Sequence, residues 1–350
     1  MAMPSSDKLL ICDVSKDALD RFQKQTEGKG PVEVVQNGAE AVQIAVSWLV
    51  SHSLVPSSPG SRSTMEMTSD QGMIAGDTRL CNALTVWLGT QNMVITMLPT
   101  HTAVKDVYLG QSGILAGAKE AAKSSPQKKI IMECGTIETS TILEVAKATK
   151  DTASELPSGA SLTFVDAPVS GGPMGAEAGT LTFMVGADDA SVFPAVKDVL
   201  SHMGLKDAVF HCGGVGAGTA FKVINNYLSA ITSLAASEAL NIGTKMGLNV
   251  KLLTDVINVS GGQCWVTSKS NPVPGVQANV PSSRNYEGGF RIELCKHVLQ
   301  MGSQLAEMVG ARTILDKPTL EAFEEASSDE RYKGKDARVV YKWLNESERK

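Results

Sequence analysis

Phe164-Val-Asp-Ala-Pro-Val-Ser-Gly-Gly172 and Gly214-Val-Gly-Ala-Gly-Thr-Ala-Phe-Lys-Val-Ile-Asn-Asn226 decide the fold between them. The first is an apolar strand run that closes on an acid and enters a Gly-rich turn. The second leads into Val223 to Met246, a long stretch of helical periodicity with no breaker near its centre. Upstream of Gly213, short apolar runs alternate with helical patterns. Lys8 to Cys12, Val32 to Val35, Met93 to Leu98, Lys129 to Met132, Phe164 to Asp166 and Thr182 to Val185 read as strands. Lys16 to Lys24, Asn37 to Ala45 and Ser140 to Thr149 read as helices. Strands alternating with helices imply a parallel α/β sheet. Downstream, Lys251 to Val259, Glu293 to Val309 and Pro318 to Ala326 continue the helical reading. The expected organisation is a sheet domain over residues 1–213 and an all-α domain over 214–350, joined by one long helix.

Residues 46–91 break the pattern. The stretch is rich in Ser, Pro and Gly, lacks sustained periodicity, and carries Trp48 and Trp87, two of the chain's four tryptophans. A structureless loop of that length is foreign to a compact domain. It reads as an insertion, largely disordered, with a surface loop as the alternative.

Composition bounds the function. The chain has 350 residues, enough to bury a large core and, by length, to form two domains. It is 43% hydrophobic and 20% charged, ordinary for a soluble globular protein. A net charge of −5 argues against nucleic acid and anionic membrane as partners. Six cysteines are scattered singly, without C-x-x-C or other metal-type spacing, and read as thiols in a reducing compartment. No apolar run approaches the roughly 18 residues of a membrane span. Met1 to Asp7 lacks the pattern of a targeting peptide.

Chemistry concentrates in the two opening segments. Gly171 and Gly172 permit positive φ, so the backbone N–H groups of Ser170, Gly171 and Gly172 can converge on a carboxylate, with the Ser170 hydroxyl as a further donor. A plain strand-to-helix turn is the competing reading. Lys222 and Asn226 stand at i and i+4, on one helix face. A lysine in a closed cleft can exchange a proton with a substrate hydroxyl, and the Asn226 amide can orient that substrate. A solvated lysine is the alternative; the apolar neighbours Phe221, Val223 and Ile224 weigh against it. Gly214-x-Gly-x-Gly218 lacks G-x-G-x-x-G spacing and reads as a flexible or close-packed entry into the long helix. Asp13 closes the first strand, where an acid can bind ribose hydroxyls or cap the next helix. His297 reads as solvated, and no cluster suggests a metal site.

These segments resemble the β-hydroxyacid dehydrogenases, relatives of the 6-phosphogluconate dehydrogenases. The similarity extends through Gly179-Thr-Leu-Thr-Phe-Met-Val-Gly186, Gly261-Gly-Gln-Cys-Trp265, Asn271-Pro-Val-Pro-Gly-Val276, Asn285-Tyr-Glu-Gly-Gly-Phe290, Met97-Leu-Pro99 and Gly135-Thr-Ile137. It covers Lys8 to Val46 and Asn92 to the C-terminal region. The resemblance implies a Rossmann-like sheet domain and a helical substrate and dimerisation domain, with NAD as cofactor. It makes Lys222 the general acid/base and Asn226 the orienting residue. Ser170, Gly171 and Gly172 would hold the carboxylate, and Leu98, Pro99 and Thr136 would line the nicotinamide side. Asp13 would favour NAD over NADP, and Lys296 would lie near the cofactor. His297 stands where the family usually has Asp. Asn225 stands where the phosphogluconate enzymes place His, which implies an unphosphorylated substrate.

The implied reaction is oxidation of 3-hydroxyisobutyrate to methylmalonate semialdehyde, in mitochondrial valine breakdown, by a homo-oligomer. A tartronate- or glyoxylate-type acid is the alternative substrate. The family's G-x-G-x-x-G loop is not in the chain, which is expected to be N-terminally truncated, to leave sheet edges unpaired where the first strand would sit, and so to bind cofactor weakly. A chain that only associates with intact subunits is the competing reading from another class.

Overall fold

The computed structural model describes residues 8–12, 19–20, 23–24, 27, 32–34, 83–88 and 93–347. They divide into two compact units, one up to Lys222 and one from Val223 onward.

The first unit is built on nine strands: β1 Lys8–Cys12, β2 Val32–Val34, β3 Ala83–Leu88, β4 Met93–Met97, β5 Lys128–Glu133, β6 Ser161–Asp166, β7 Val169–Ser170, β8 Leu181–Gly186 and β9 Gly204–Gly213. Their order is β2-β1-β3-β4-β5-β6-β8-β7, with β9 also on β8. At the centre, β4, β5 and β6 run parallel, with Val94 opposite Ile131 and Ile131 opposite Phe164. These strands read as unbroken apolar runs because both faces are covered. Ile131 joins a cluster with Val94, Tyr108, Ile114 and Ile142, whereas the adjacent Met132 joins Met93, Val165, Phe183 and Val196 on the other face. Burial of each such side chain contributes about 1.5–3 kcal/mol. Helices α1 His101–Leu109, α2 Ile114–Ser124 and α3 Thr139–Ser154 supply the first face, and α5 Phe193–Leu200, following the short α4 Gly172–Glu177, contributes to the second. The Thr100 hydroxyl starts α1 by accepting the Ala103 N–H at 3.2 Å.

One expectation is corrected here. Residues 83–88 of the 46–91 stretch form a strand, β3, and among the described residues the edges of β1 and β4, expected to be unpaired, are covered by it. β3 lies between β1 and β4 and pairs antiparallel with both, from Lys8↔Leu88 to Cys12↔Leu84 and from Ala83↔Met97 to Trp87↔Met93. The direction follows from the connection. Trp87 and Met93 are too close in sequence for the dozen or more residues of a parallel crossover, so the chain turns back as a hairpin. The sheet is also less uniformly parallel than its alternation suggested, because β8 runs antiparallel to β6 and β7. The helix expected at Asn37 to Ala45 lies outside the described residues. Of that expected at Lys16 to Lys24, residues 19–20 and 23–24 are described and helical.

The second unit is helical. Helix α6, Ala217–Lys245, runs into it from the first, followed by α7 Val250–Asn258, α8 Trp265–Lys269, α9 Ile292–Met308, α10 Asp316–Ser328 and α11 Val340–Glu346. Its core gathers Tyr286, Ile292, Leu299, Phe323, Tyr332 and Val340. Gly302 lets α9 meet α6, since a Cβ there would stand 2.5 Å from Tyr227 Cδ2.

Candidate active site

One buried carboxylate joins the two opening segments. Asp166 ends β6 with no exposed surface, and its Oδ1 and Oδ2 accept the N–H groups of Gly216 and Thr219, each at 2.7 Å. It thereby caps the entry to α6, in the first turn, where amides have no helical partner. Burial raises its carboxyl above the usual aspartate value, and the two amides oppose that rise. The surrounding glycines are required by contact. A Cβ on Gly218 would lie 2.1 Å from the Met184 carbonyl oxygen, and one on Gly186 would lie 2.2 Å from Asp166 Oδ1. Three motif segments therefore close around Asp166. Of its two readings, Gly214-x-Gly-x-Gly218 takes that of a close-packed helix entry.

Lys222 follows Thr219 along α6 and is 9% exposed. Its pKa is lowered to about 8 by burial, and among the described residues no carboxylate pairs with it. A neutral amine is thus accessible near physiological pH. Beside it, Val223 is buried, whereas Phe221 and Ile224 are exposed. Ser170, at the end of β7, pairs with Thr182 and is half-buried. Gly171 (φ 138°) and Gly172 (φ 62°) take the positive φ that glycine permits, and both are exposed.

Leu98, Pro99 and Thr136 follow β4 and β5 at the carboxyl ends of parallel strands, the edge where α/β sheets bind ligands. Leu98 is buried, Thr136 is half-buried and Pro99 is exposed. All these groups belong to the first unit. Asn226 and Lys296 belong to the second. Asn226 is half-buried and accepts from Asn225 Nδ2 at 3.4 Å; Lys296 forms an ion pair with Glu324 Oε2 at 2.6 Å. Asp13 lies outside the described residues. The burial and amide-binding of two acids escape the sequence reading. Asp166 and Glu133 both close apolar strands, a position that reads merely as a strand stop.

Residues 61–214 match the family described as the NAD binding domain of 6-phosphogluconate dehydrogenase, a match that begins inside the 46–91 stretch. Residues 216–344 match the family described as NAD-binding of NADP-dependent 3-hydroxyisobutyrate dehydrogenase. A probable mitochondrial 3-hydroxyisobutyrate dehydrogenase of Arabidopsis thaliana is 35% identical over 283 residues, 80% of this chain and 78% of the relative. The chain belongs to the 3-hydroxyisobutyrate dehydrogenase family. The mitochondrial 3-hydroxyisobutyrate dehydrogenase of Rattus norvegicus is 36% identical over 255 residues, 73% of this chain and 70% of that one. The structure of the Mycobacterium tuberculosis 3-hydroxyisobutyrate dehydrogenase with L-serine aligns with a TM-score of 0.61 at 29% identity, covering 72% of this chain and 79% of that chain.

As a member of the 3-hydroxyisobutyrate dehydrogenase family, the chain is an oxidoreductase with NAD(P) as cofactor. The described residues fit such a cofactor in part, because the loops after β4 and β5 meet at the ligand edge of the sheet. They include no G-x-G-x-x-G turn for its pyrophosphate. Among them no helix is long and apolar enough to cross a membrane, and no group of His, Cys, Asp and Glu is arranged to hold a metal.

Proposed function

We propose that the chain oxidises the primary alcohol of 3-hydroxyisobutyrate to methylmalonate semialdehyde, with Lys222 as the general base. The observation that carries this reading is a buried lysine without an ionic partner, on a helix whose start is fixed by Asp166 to the strand leading into the Ser170–Gly172 turn. The bound dinucleotide supplies the hydride acceptor for the carbinol carbon. Neutral Lys222 Nζ takes the hydroxyl proton as the C=O bond forms. The Ser170, Gly171 and Gly172 donors hold the substrate carboxylate, and Asn226 orients the substrate. Leu98, Pro99 and Thr136 line the nicotinamide, Lys296 lies on the cofactor side, and Asp13 selects NAD over NADP by repelling a 2′-phosphate. On this reading the family domains divide at 213/214, a few residues before the compact units part at Lys222/Val223, the active form is a homo-oligomer, and the reaction serves valine breakdown; a mitochondrial setting is supported by the names of the relatives from Arabidopsis thaliana and Rattus norvegicus.

The test is turnover of (S)-3-hydroxyisobutyrate with NAD and with NADP, against tartronate as competing substrate. Faster turnover of tartronate would move the reading to another short β-hydroxy acid. A second reading, a chain that associates with intact subunits without turning over, is favoured by the antiparallel β3 in the middle of the sheet, which brings no helix N-terminus to the ligand edge. Micromolar NADH binding by the chain alone, read by fluorescence, would sink that alternative.

A further inference from the structure

Glu133 closes β5 with no exposed surface and no cationic partner among the described residues. Its Oε1 accepts the Leu98 N–H at 3.2 Å and the Gly135 N–H at 2.7 Å. Its Oε2 accepts the Thr96 hydroxyl, which lies 2.6 Å from the Tyr108 hydroxyl. One carboxylate therefore holds the first residue after β4 and the second residue after β5. The two loops also touch through backbone. A Cβ on Gly135 would lie 2.5 Å from the Leu98 carbonyl oxygen and 2.6 Å from Glu133 Oε1. The Cys134 N–H closes the gap by donating to the Thr96 carbonyl at 2.7 Å. A carboxylate without a counter-charge is a costly fastening, and an amide side chain could accept the two backbone N–H groups but not the Thr96 hydroxyl. The charge gives stronger bonds than a neutral acceptor would.

We propose that Glu133 is a positioning residue for the cofactor: it locks the Leu98–Pro99 and Gly135–Thr136 loops into one wall and so sets where the nicotinamide ring, and not the adenosine half, is held. This inference rests on the reading that those two loops line the nicotinamide. Burial pushes the Glu133 carboxyl up to about 7, so both protonation states are populated near neutrality. The titratable groups facing it are the Tyr108 phenol and the Cys134 thiol, both raised by burial and neutral there, and Asp166, its register partner on β6, whose carboxylate is engaged by the α6 amides. When Glu133 takes a proton, its Oε2–H donates to Thr96 and the Thr96 hydroxyl turns to the Met132 carbonyl, 3.2 Å away. Oε1 keeps its two amides but accepts them as a neutral oxygen, and the wall is held less firmly.

The test compares NADH with ADP-ribose, which lacks the nicotinamide, on the full chain, by NADH fluorescence and by calorimetry. In the wild type, affinity for NADH relative to ADP-ribose rises as pH passes upward through about 7. Glu133→Gln holds that ratio flat at its low-pH value. Glu133→Ala weakens NADH about tenfold and leaves ADP-ribose unchanged. Equal losses for both ligands would mean a merely structural role and overturn the proposal. If Glu133→Ala does not fold, the glutamine variant decides alone, and a wild-type pH step in it overturns the proposal. Thr136→Ala separates the two levels of argument. If it lowers the ratio and the Glu133 variants do not, the positioning role fails and the cofactor wall stands. If neither lowers it, or if the wild type binds NADH no better than ADP-ribose, both fall.

Discussion

Burying an ammonium without a counter-ion costs stability whenever the ammonium is charged. Lys222 is lowered from 10.5 to about 8, a difference of about 3 kcal/mol between folded and unfolded chain below pH 8. The unfolded chain binds the proton more tightly, so this cost fades as pH rises from about 8 to 10.5. Lys222→Met keeps the apolar stem without the charge. It should stabilise the protein by about 1–3 kcal/mol at pH 7 in urea unfolding, with the gain disappearing near pH 10.5. Catalysis runs the other way. With Lys222 as the proposed base, oxidation would need the neutral amine, so kcat should climb as pH rises through about 8, and Lys222→Ala should lower kcat by about 10²–10⁴ with NADH binding retained. A variant near full turnover would remove Lys222 from the proton path. Lys222 was legible in the sequence because apolar and small residues surround it. Glu133 was not. It ends Ile130-Ile-Met-Glu as Asp166 ends Phe164-Val-Asp; the Gly135 amide reaches it locally, and the parallel pairing of β4 with β5 brings the Leu98 amide to it.

At the scale of elements, α6 is held at its entry by contact as much as by hydrogen bonding. Gly218→Ala would force a Cβ to 2.1 Å from the Met184 carbonyl, moving the helix off the sheet. The expected cost is about 1–3 kcal/mol in the urea midpoint, together with reduced turnover because Lys222 moves with the helix. An unchanged midpoint would show that the helix entry yields without loss. The central strands and long helices were legible from run length and period; β1 and β4 fall where the apolar residues cluster. Others were hidden for physical reasons. β9 is largely open to solvent, with Leu205 and Phe210 more than half exposed, so no apolar run marks it. Helix α1 starts on a Thr cap after Pro99, and its buried side is carried by Ala103, Val104 and Tyr108 within a short mixed segment of nine residues. β3 sits in a stretch whose Ser, Pro and Gly content speaks for loop, and its pairing is decided by the two strands beside it.

For the whole molecule, β3 connects two halves of the sheet. Among the described strands, it alone links the β2–β1 pair to β4 and everything beyond it. Val86→Pro removes a backbone donor from a strand paired on both sides, where proline is not tolerated. Amide exchange protection should fall at Leu9 to Cys12 and Val94 to Thr96, while the β5–β6 ladder stays protected. Protection retained at Leu9 to Cys12 would mean that those residues do not depend on β3.

The hairpin of β3 and β4 has a further consequence, in time. Trp87 meets Met93 across a short stretch of chain, whereas β4 reaches β5 only after α1 and α2 have been laid down. A hairpin closes in about 1–10 μs, and contacts separated by a crossover come later because longer loops must be closed first. The antiparallel pair is then the seed on which the parallel ladder grows. Refolding rate should respond to substitutions in Ala83–Met97, whereas those in β9, at the far side of the sheet, should act mainly on the rate of unfolding.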